Sequence, residues 1–169
     1  TTEDMLQKTT RARLLDILML LRVGISVTQL EDQYVELRGT VKVEGRELKG
    51  TTIAGADTAA LIDEIPVLAA IAPYTEGGIE IRDARELRVK ESDRIAAIAA
   101  NLRAMGAQVE EREDGLKIPG KQKLRGADVD SLGDHRIALA FAFAALRADG
   151  ETGVRGAGGA ARSSPADTR

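Results

Sequence analysis

Residues 87–106 read LRVKESDRIAAIAANLRAMG, a charged cluster followed by an apolar helix pattern and a glycine. The pattern comes from side chains at the three- and four-residue spacing of one helix face: Ile95, Ile98, Leu102 and Met105. Ser92 or Asp93 can cap this helix, and Gly106 can end it. Residues 107–110, AQVE, then predict a strand. The stretch therefore predicts a helix, a turn and a strand in succession.

The same order of elements occurs near the start of the chain. Residues 11–23 place leucines at helical spacing before Gly24, namely Leu14, Leu15, Leu18 and Leu21. Residues 25–27, Ile-Ser-Val, then alternate as a strand does. In both copies a second strand follows, over residues 35–43 in the first and 116–118 in the second, with glycines at the turns.

Each copy next reaches a Leu-basic-Gly step, LKG at residues 48–50 and LRG at residues 124–126. Both steps lead through a short strand into an apolar helix that starts near an aspartate, Asp63 in the first copy and Asp134 in the second. A repeat of this length, made of helices and strands, predicts a domain built from similar α/β units. Chance similarity of ordinary amphipathic segments is the alternative.

We therefore predict an α/β (α+β) domain with two repeated α/β units at residues 11–155. Residues 1–10 are predicted to form an N-terminal extension. Residues 156–169, GAGGAARSSPADTR, are rich in Gly, Ala, Ser and Pro and are predicted to form a mobile tail.

The composition excludes several kinds of protein. The 24 basic and 27 acidic side chains nearly cancel, and two Tyr, two Phe and no Trp disfavour stacking on nucleic-acid bases. No apolar run reaches the roughly 18 to 20 residues that span a bilayer, and no secretion signal is recognisable. Without cysteine and with one histidine, a chain cannot build disulfides or His/Cys-rich metal sites. We expect a cytoplasmic protein that binds neither nucleic acid nor membrane.

The densest charged cluster, LRVKESDR at residues 87–94, predicts a strand-to-helix junction that can hold an anion. The first amides of a helix lack intrahelical partners and the helix dipole is positive there, so they can bind a phosphate or carboxylate together with Lys90 and Arg94. Glu91 and Asp93 leave another interpretation open, because acidic residues stabilise first helical turns and charged runs are often solvated.

Two further clusters stand at predicted helix starts. After Asp134, Arg136 can bind a carboxylate or phosphate bidentately, and His135 can donate a hydrogen bond or exchange a proton. Asp134 could equally be a helix cap with a structural histidine beside it. Asp63 precedes Pro66 at the start of an Ala-rich helix, where it is either a cap or a general base.

Three segments resemble, in order, characteristic segments of the 5-enolpyruvylshikimate-3-phosphate synthase family: LIDEIPVLAAIA at 61–72, LRVKESDR at 87–94 and GDHRIALAFA at 133–142. The likeness runs from about Arg11 to Pro165. It implies an enolpyruvyl transferase-like inverse α/β barrel domain, which in the family has three similar units. The two units counted here would leave that domain incomplete.

The resemblance also implies an activity in the shikimate pathway to aromatic amino acids. Family members transfer the enolpyruvyl group of phosphoenolpyruvate to the 5-hydroxyl of shikimate 3-phosphate, release phosphate, need no cofactor and are the target of glyphosate. Asp63 then corresponds to the general base, Lys90 to a lysine at the reacting centre, and Glu91 to a glutamate proposed in proton transfer. The implied substrate-binding residues are Arg94, His135, Arg136 and Arg162, the last where some members have a lysine.

The chain departs from the family in several places. The family's amino-terminal lysine-serine-arginine motif, its serine-serine-glutamine site and a further phosphoenolpyruvate-binding arginine have no counterpart, and Ser164 precedes Pro165 where an aromatic residue is usual. We therefore expect this chain to supply the carboxy-terminal part of the active site, and to self-associate or pair with an amino-terminal half. The alternative is a non-catalytic anion-binding or assembly module derived from the family.

Overall fold

The computed structural model describes residues 2–6, 24–33, 36–44, 47–156 and 161–163. They belong to a smaller unit, Thr1–Lys49, and a larger unit, Gly50–Arg169. The helix predicted at residues 11–23 lies outside the described residues.

The smaller unit contains an antiparallel sheet of three strands in the order β1-β3-β2: β1 (Thr2–Leu6), β2 (Gly24–Gln33) and β3 (Glu36–Glu44). The strands predicted at 25–27 and 35–43 fall in β2 and β3, apart from Val35, which lies outside the described residues. Strand β1, which lies within the predicted N-terminal extension, pairs with β3.

The described part of the larger unit has two sheets and four α-helices. In the first sheet the order is β4-β5-β7-β6: β4 (Thr51–Ile53), β5 (Ile79–Ile81), β6 (Glu110–Arg112) and β7 (Gly115–Ile118). In the second sheet the order is β10-β9-β8: β8 (Asp128–Asp130), β9 (Thr152–Arg155) and β10 (Ala161–Ser163). The helices are α1 (Ala56–Ala60), α2 (Ile65–Ile71), α3 (Arg94–Ala104) and α4 (His135–Ala145).

Three helices of the larger unit, α1, α2 and α4, connect its parallel strand pairs. Strands β4 and β5 are parallel and are joined through α1 and α2, whereas the parallel strands β8 and β9 are joined through α4. The helices bury apolar side chains that are at most 1% exposed, among them Leu68, Ile98, Leu102, Ile137 and Phe141. These side chains make the core of the larger unit and hold the starts of its helices in place.

Helix α3 has the limits that its sequence pattern predicts. The Asp93 carboxylate accepts a hydrogen bond from the Ala96 amide at 3.0 Å, which is an N-cap contact. Its four apolar side chains are fully buried, and Gly106 follows the helix with a φ of 87°, in the left-handed region that favours glycine.

The segments on either side of α3 differ from prediction. Residues 87–89 do not end a strand but belong to a 3₁₀ helix, Arg85–Val89, with the Leu87 amide bonded to the Ala84 carbonyl. Strand β6 begins at Glu110 rather than at residue 107. The reason is that the amides of Ala107 and Gln108 donate to the Leu102 carbonyl and the Gln122 side chain instead of to a neighbouring strand.

The end of the chain contributes one further strand. Residues 161–163, within the predicted tail, form β10 and pair antiparallel with β9. The division of the chain at residues 10 and 155 stays a prediction. None of the helices in the described ranges has the length and apolar character needed to cross a membrane.

Candidate active site

Three carboxylates surround the guanidinium of Arg94, the first residue of α3. Its Nε donates to Asp134 Oδ2 at 2.8 Å, its Nη2 to Glu91 Oε2 at 2.6 Å and its Nη1 to Asp63 Oδ1 at 3.3 Å. The Arg94 side chain is 1% exposed, whereas those of Asp63 and Glu91 are 50% and 56% exposed. Arg94 and the fully buried Asp134 therefore form the floor of a cluster in which Asp63 and Glu91 face solvent.

Asp134 both caps α4 and holds Arg94. Its Oδ1 accepts from the Arg136 and Ile137 amides, and its Oδ2 accepts from Ser92 Oγ at 3.1 Å as well as from Arg94. Burial alone would raise the pKa of Asp134, but hydrogen bonds from Arg94 and from the Arg136 amide outweigh it and leave the pKa below its usual value. Asp134 is therefore a carboxylate at neutral pH.

Asp63 does not cap α2, so its interpretation as a cap is wrong. The N-cap residue is Glu64, and no side chain caps that helix. The Asp63 carboxylate instead contacts two arginines, Arg94 and Arg136, with 3.8 Å between its Oδ2 and Arg136 Nη2. Arg136 Nη1 also donates to the Asp63 carbonyl at 3.3 Å.

The segments that begin α2, α3 and α4 thus meet at one place. Asp63 precedes α2, Arg94 begins α3, and Asp134 and Arg136 stand at the start of α4. The Arg136 side chain is 35% exposed, so its guanidinium can contact a ligand from solvent. The arrangement combines a buried cation, a reachable cation and solvent-facing carboxylates, which is suited to binding an anion beside a group that transfers a proton.

The other predicted site residues lie around this cluster or outside it. Lys90 pairs with Glu86, which raises the pKa of Lys90 and keeps it an ammonium. His135 is exposed at the start of α4. Arg162 lies in β10 opposite Gly153, and its side chain is outside the described residues.

The cation at the centre of the cluster is permanent. Burial alone would lower the pKa of Arg94, but the hydrogen bond and charge of Asp134, with Glu91 and Asp63, raise it above the usual value. A ligand carboxylate or phosphate that binds the Nη atoms would compete with Glu91 and Asp63 for them. The first-turn amide of Ala96 is already bonded to Asp93, so the amide site expected from the sequence is partly occupied by the chain itself.

The sequence did not indicate the second role of Asp134 or the contact of Ser92. Both residues are 40 or more positions from their partners, and a helix-capping aspartate looks the same with or without a buried arginine behind it. What the sequence did indicate is that two charged motifs, at residues 87–94 and 133–136, stand at helix starts.

Solved structures share this fold. The chain superposes over 91% of its length on EPSP synthase from Acinetobacter baumannii, with a TM-score of 0.83 and 33% sequence identity. The match covers 36% of the Acinetobacter baumannii chain. A second structure of EPSP synthase from the same organism gives a TM-score of 0.80 at 30% identity, with the same coverage. The fold and the charged cluster define a mixed α/β segment of the enolpyruvyl transferase class.

The sequence comparisons identify the family within that class. The family model described as EPSP synthase (3-phosphoshikimate 1-carboxyvinyltransferase) matches residues 1–166, and the chain belongs to this family. It is 56% identical over 155 residues to 3-phosphoshikimate 1-carboxyvinyltransferase of Koribacter versatilis and 54% identical to that of Solibacter usitatus. Each match covers 92% of this chain, which spans 36% of the length of either relative.

Proposed function

We propose that this chain supplies the carboxy-terminal part of an active site that transfers the enolpyruvyl group of phosphoenolpyruvate to the 5-hydroxyl of shikimate 3-phosphate. The observation that carries the proposal is the meeting of Asp63, Arg94 and Arg136 at three helix starts. Because the chain spans 36% of the length of its relatives, the reaction is assigned to the complete enzyme.

The proposed chemistry is an addition followed by an elimination. The 5-hydroxyl oxygen bonds to carbon 2 of phosphoenolpyruvate, its proton passes to a base, and the methylene carbon gains a proton. Phosphate then leaves from the tetrahedral intermediate as that carbon loses a proton, which restores the double bond. In this scheme Asp63 is the base, and Glu91 transfers the proton at the methylene carbon.

The cations have binding roles in the same scheme. Arg94 and Arg136 bind the carboxylate and phosphate of phosphoenolpyruvate, with His135 beside them, because charge-assisted contacts fix both the position and the orientation of an anion. Lys90 contacts shikimate 3-phosphate and the reacting centre. Arg162 is assigned as a further substrate-binding cation because it stands where some members of the family have a lysine.

The test is phosphate release by this chain mixed with the separately expressed amino-terminal part of a relative. Both substrates together should release phosphate, and each alone should not. Arg94→Gln and Arg136→Gln should weaken phosphoenolpyruvate binding by about ten- to a hundredfold, since each removes a contact of roughly 1.5 to 3 kcal/mol.

Arg103→Gln is the matched control, because Arg103 lies in the last turn of α3 and pairs with Glu111 at the surface. It should leave binding unchanged. Equal binding by all three variants and the wild type would reject the proposed roles of Arg94 and Arg136.

The proposal also includes inhibition by glyphosate and a location in the cytoplasm. Glyphosate carries a carboxylate and a phosphonate, so it should compete with phosphoenolpyruvate for Arg94 and Arg136. Displacement of bound phosphoenolpyruvate by glyphosate, measured by calorimetry, tests this. The proposed location is the cytoplasm, and fractionation of cells that produce the full-length protein tests it.

A non-catalytic anion-binding or assembly module is the second candidate. The observation in its favour is an exposed apolar face formed by Leu139 and Phe143 of α4 and by Leu146, the residue that follows it. Such a module would bind phosphoenolpyruvate or associate with copies of itself, but it would release no phosphate with the amino-terminal part present. Activity of the chain on its own would instead favour assembly of identical chains that complete one another's sites.

A further inference from the structure

A pocket of about 400 Å³ lies at the far end of α4 from the candidate active site. It is lined by the 3₁₀ turn Ala72–Tyr74, by the loop after β7 and by residues that follow α4. Helix α4 has 11 residues, so roughly 16 Å of helix separate its two ends. The pocket is therefore distinct from the cluster around Arg94.

The wall of this pocket carries three exposed cations. Lys121, Lys123 and Arg147 are exposed, and none forms an ion pair with a described residue. Several other arginines of the larger unit are paired with carboxylates, among them Arg82, Arg88, Arg94 and Arg112, whereas Arg125 and Arg155 form no ion pair with a described residue. With Asp149 as the acidic residue of the lining, three positive charges stand against one negative charge.

The wall is also held in place by hydrogen bonds. The Tyr74 hydroxyl donates to the Ala144 carbonyl at 2.8 Å, and the Arg147 guanidinium lies 5.4 Å from the centre of the Tyr74 ring. The Lys121 amide donates to the Thr75 carbonyl at 2.7 Å, and Gln122 Nε2 donates to the Pro119 carbonyl at 2.6 Å. Because these contacts are made within the chain, they order the wall of the pocket and reduce the conformational entropy lost on binding.

We propose that this pocket binds a small dianion of the phosphate class, held by Lys121, Lys123 and Arg147 beside the ring of Tyr74. Two ammonium groups and one guanidinium can donate hydrogen bonds to several oxygens of a tetrahedral anion at once. The three cations outweigh Asp149, so the net positive charge of the lining attracts a dianion about twice as strongly as a monoanion. This inference does not depend on the proposed enolpyruvyl transfer.

Tyr74 adds no negative charge to the pocket in the neutral range. Burial raises the pKa of its phenol to about 12, against the lowering effect of Arg147 and with a smaller raising effect of Asp149. The phenol therefore stays protonated at pH 8, where inorganic phosphate is mostly a dianion. Its hydroxyl keeps the bond to Ala144 that orders one side of the pocket.

The experiment is a titration of the isotope-labelled full chain with inorganic phosphate at pH 8, followed by amide chemical shifts in nuclear magnetic resonance. Saturable shifts are expected at residues 121–124 and 147–149. Acetate, a monoanion, should bind more weakly, and added sodium chloride should weaken phosphate binding because salt screens exposed charges.

Variants separate this pocket from other positive surfaces. The double variant Lys123→Gln with Arg147→Gln should weaken phosphate binding at the pocket by about tenfold or more. Lys117→Gln, on the exposed side of β7, is the matched control and should leave it unchanged. Thermal unfolding checks that all variants keep the fold.

Two results would overturn the inference. Shifts confined to residues 90–94 and 134–136 would place phosphate at the candidate active site alone. Equal binding by the double variant and by Lys117→Gln would show that no local site exists. Arg136→Gln distinguishes the two proposals, because it should abolish shifts at residues 134–136 and preserve those at 121–124.

Discussion

Arg94 and Asp134 form an ion pair with almost no solvent contact, since their side chains are 1% and 0% exposed. Removing two charges from water costs free energy that offsets most of their attraction, so such a pair adds little stability beyond that of an apolar pair. The pair does fix the orientation of the guanidinium, with its Nη atoms toward Glu91 and Asp63. We therefore explain the buried ion pair by its role in positioning Arg94 in the site.

The variant Asp134→Asn should separate the two roles of Asp134, which caps α4 and carries the negative charge beside Arg94. Asparagine can still accept a hydrogen bond from the Arg136 amide, but it leaves Arg94 without its buried counter-charge. We expect a loss of about 3 kcal/mol in the free energy of unfolding at pH 7, measured with urea. Ser92→Ala removes one bond to the same carboxylate and should cost about 1.5 kcal/mol, so equal losses would contradict this account.

Because the pKa of Asp134 is lowered in the folded chain, its contribution to the free energy of unfolding depends on pH. The unfolded chain binds the Asp134 proton near the usual pKa of 3.8, whereas the folded chain binds it at lower pH. The stabilisation is thus complete above the unfolded value and is lost as pH falls through the folded one. Below pH 3.8 the unfolding free energy of the wild type should fall more steeply with pH than that of Asp134→Asn. Parallel curves of unfolding free energy against pH would rule out a buried carboxylate at this position.

Gly78 and Gly133 form a matched pair for testing close backbone packing. Both have a φ of 78°, so alanine at either position enters the left-handed region and costs about 1 kcal/mol. A Cβ at Gly78 would lie 2.1 Å from the Ile118 carbonyl oxygen, but nothing lies within 4 Å of one at Gly133. Gly78→Ala should lose at least about 1 kcal/mol more in urea unfolding than Gly133→Ala.

At the scale of the element, α4 has two apolar faces. One face is buried in the larger unit, with Phe141 fully buried. The other exposes large apolar side chains that recur at helical spacing, with exposures of 53%, 49% and 61%: Leu139, Phe143 and Leu146. Adjacent apolar side chains of this size in a soluble protein commonly mark a contact surface.

Phe143→Gln and Phe141→Ala should therefore behave in opposite ways. Phe143→Gln should leave unfolding free energy within about 0.5 kcal/mol and reduce any self-association seen by sedimentation. Phe141→Ala should cost about 3 to 5 kcal/mol because it empties a buried volume. If Phe143→Gln destabilised the chain as much as Phe141→Ala, its side chain would be part of the core.

The sequence predicted elements well where local chemistry specifies them. Helix α3 has an aspartate cap, a complete apolar face and a terminal glycine, and its predicted limits are confirmed. Helix α1, only five residues long, has no apolar face and was not predicted. The start of β6 was misplaced because a side chain, Gln122, satisfies a backbone amide there. Contacts made between distant segments leave no local pattern.

At the scale of the whole molecule, a domain with two of three units should leave apolar helix surface uncovered, and the structure shows such surface on α4 but not on α3. The apolar face of α3 is fully buried, whereas that of α4 is half exposed at Leu139 and Phe143. The chain also spans 36% of the length of its relatives. The proposed pairing with an amino-terminal part predicts that this part covers the exposed face of α4 and completes the active site.

Mixing this chain with the part of the Koribacter versatilis protein that it does not match should therefore produce activity. Phosphate release should require both pieces, and amide hydrogen exchange at residues 139–146 should slow in the mixture, because association buries the exposed face of α4. Phe143→Gln should lower activity at limiting partner and regain it at excess partner, since it weakens association alone.

Arg94→Gln provides the contrast, because excess partner cannot replace a lost substrate contact. Its activity should stay low at every partner concentration while exchange at residues 139–146 still slows. The two variants thus separate assembly from chemistry. A monomeric chain whose α4 amides are already strongly protected, and which gains neither protection nor activity from the partner, would show that the larger unit is complete as it stands.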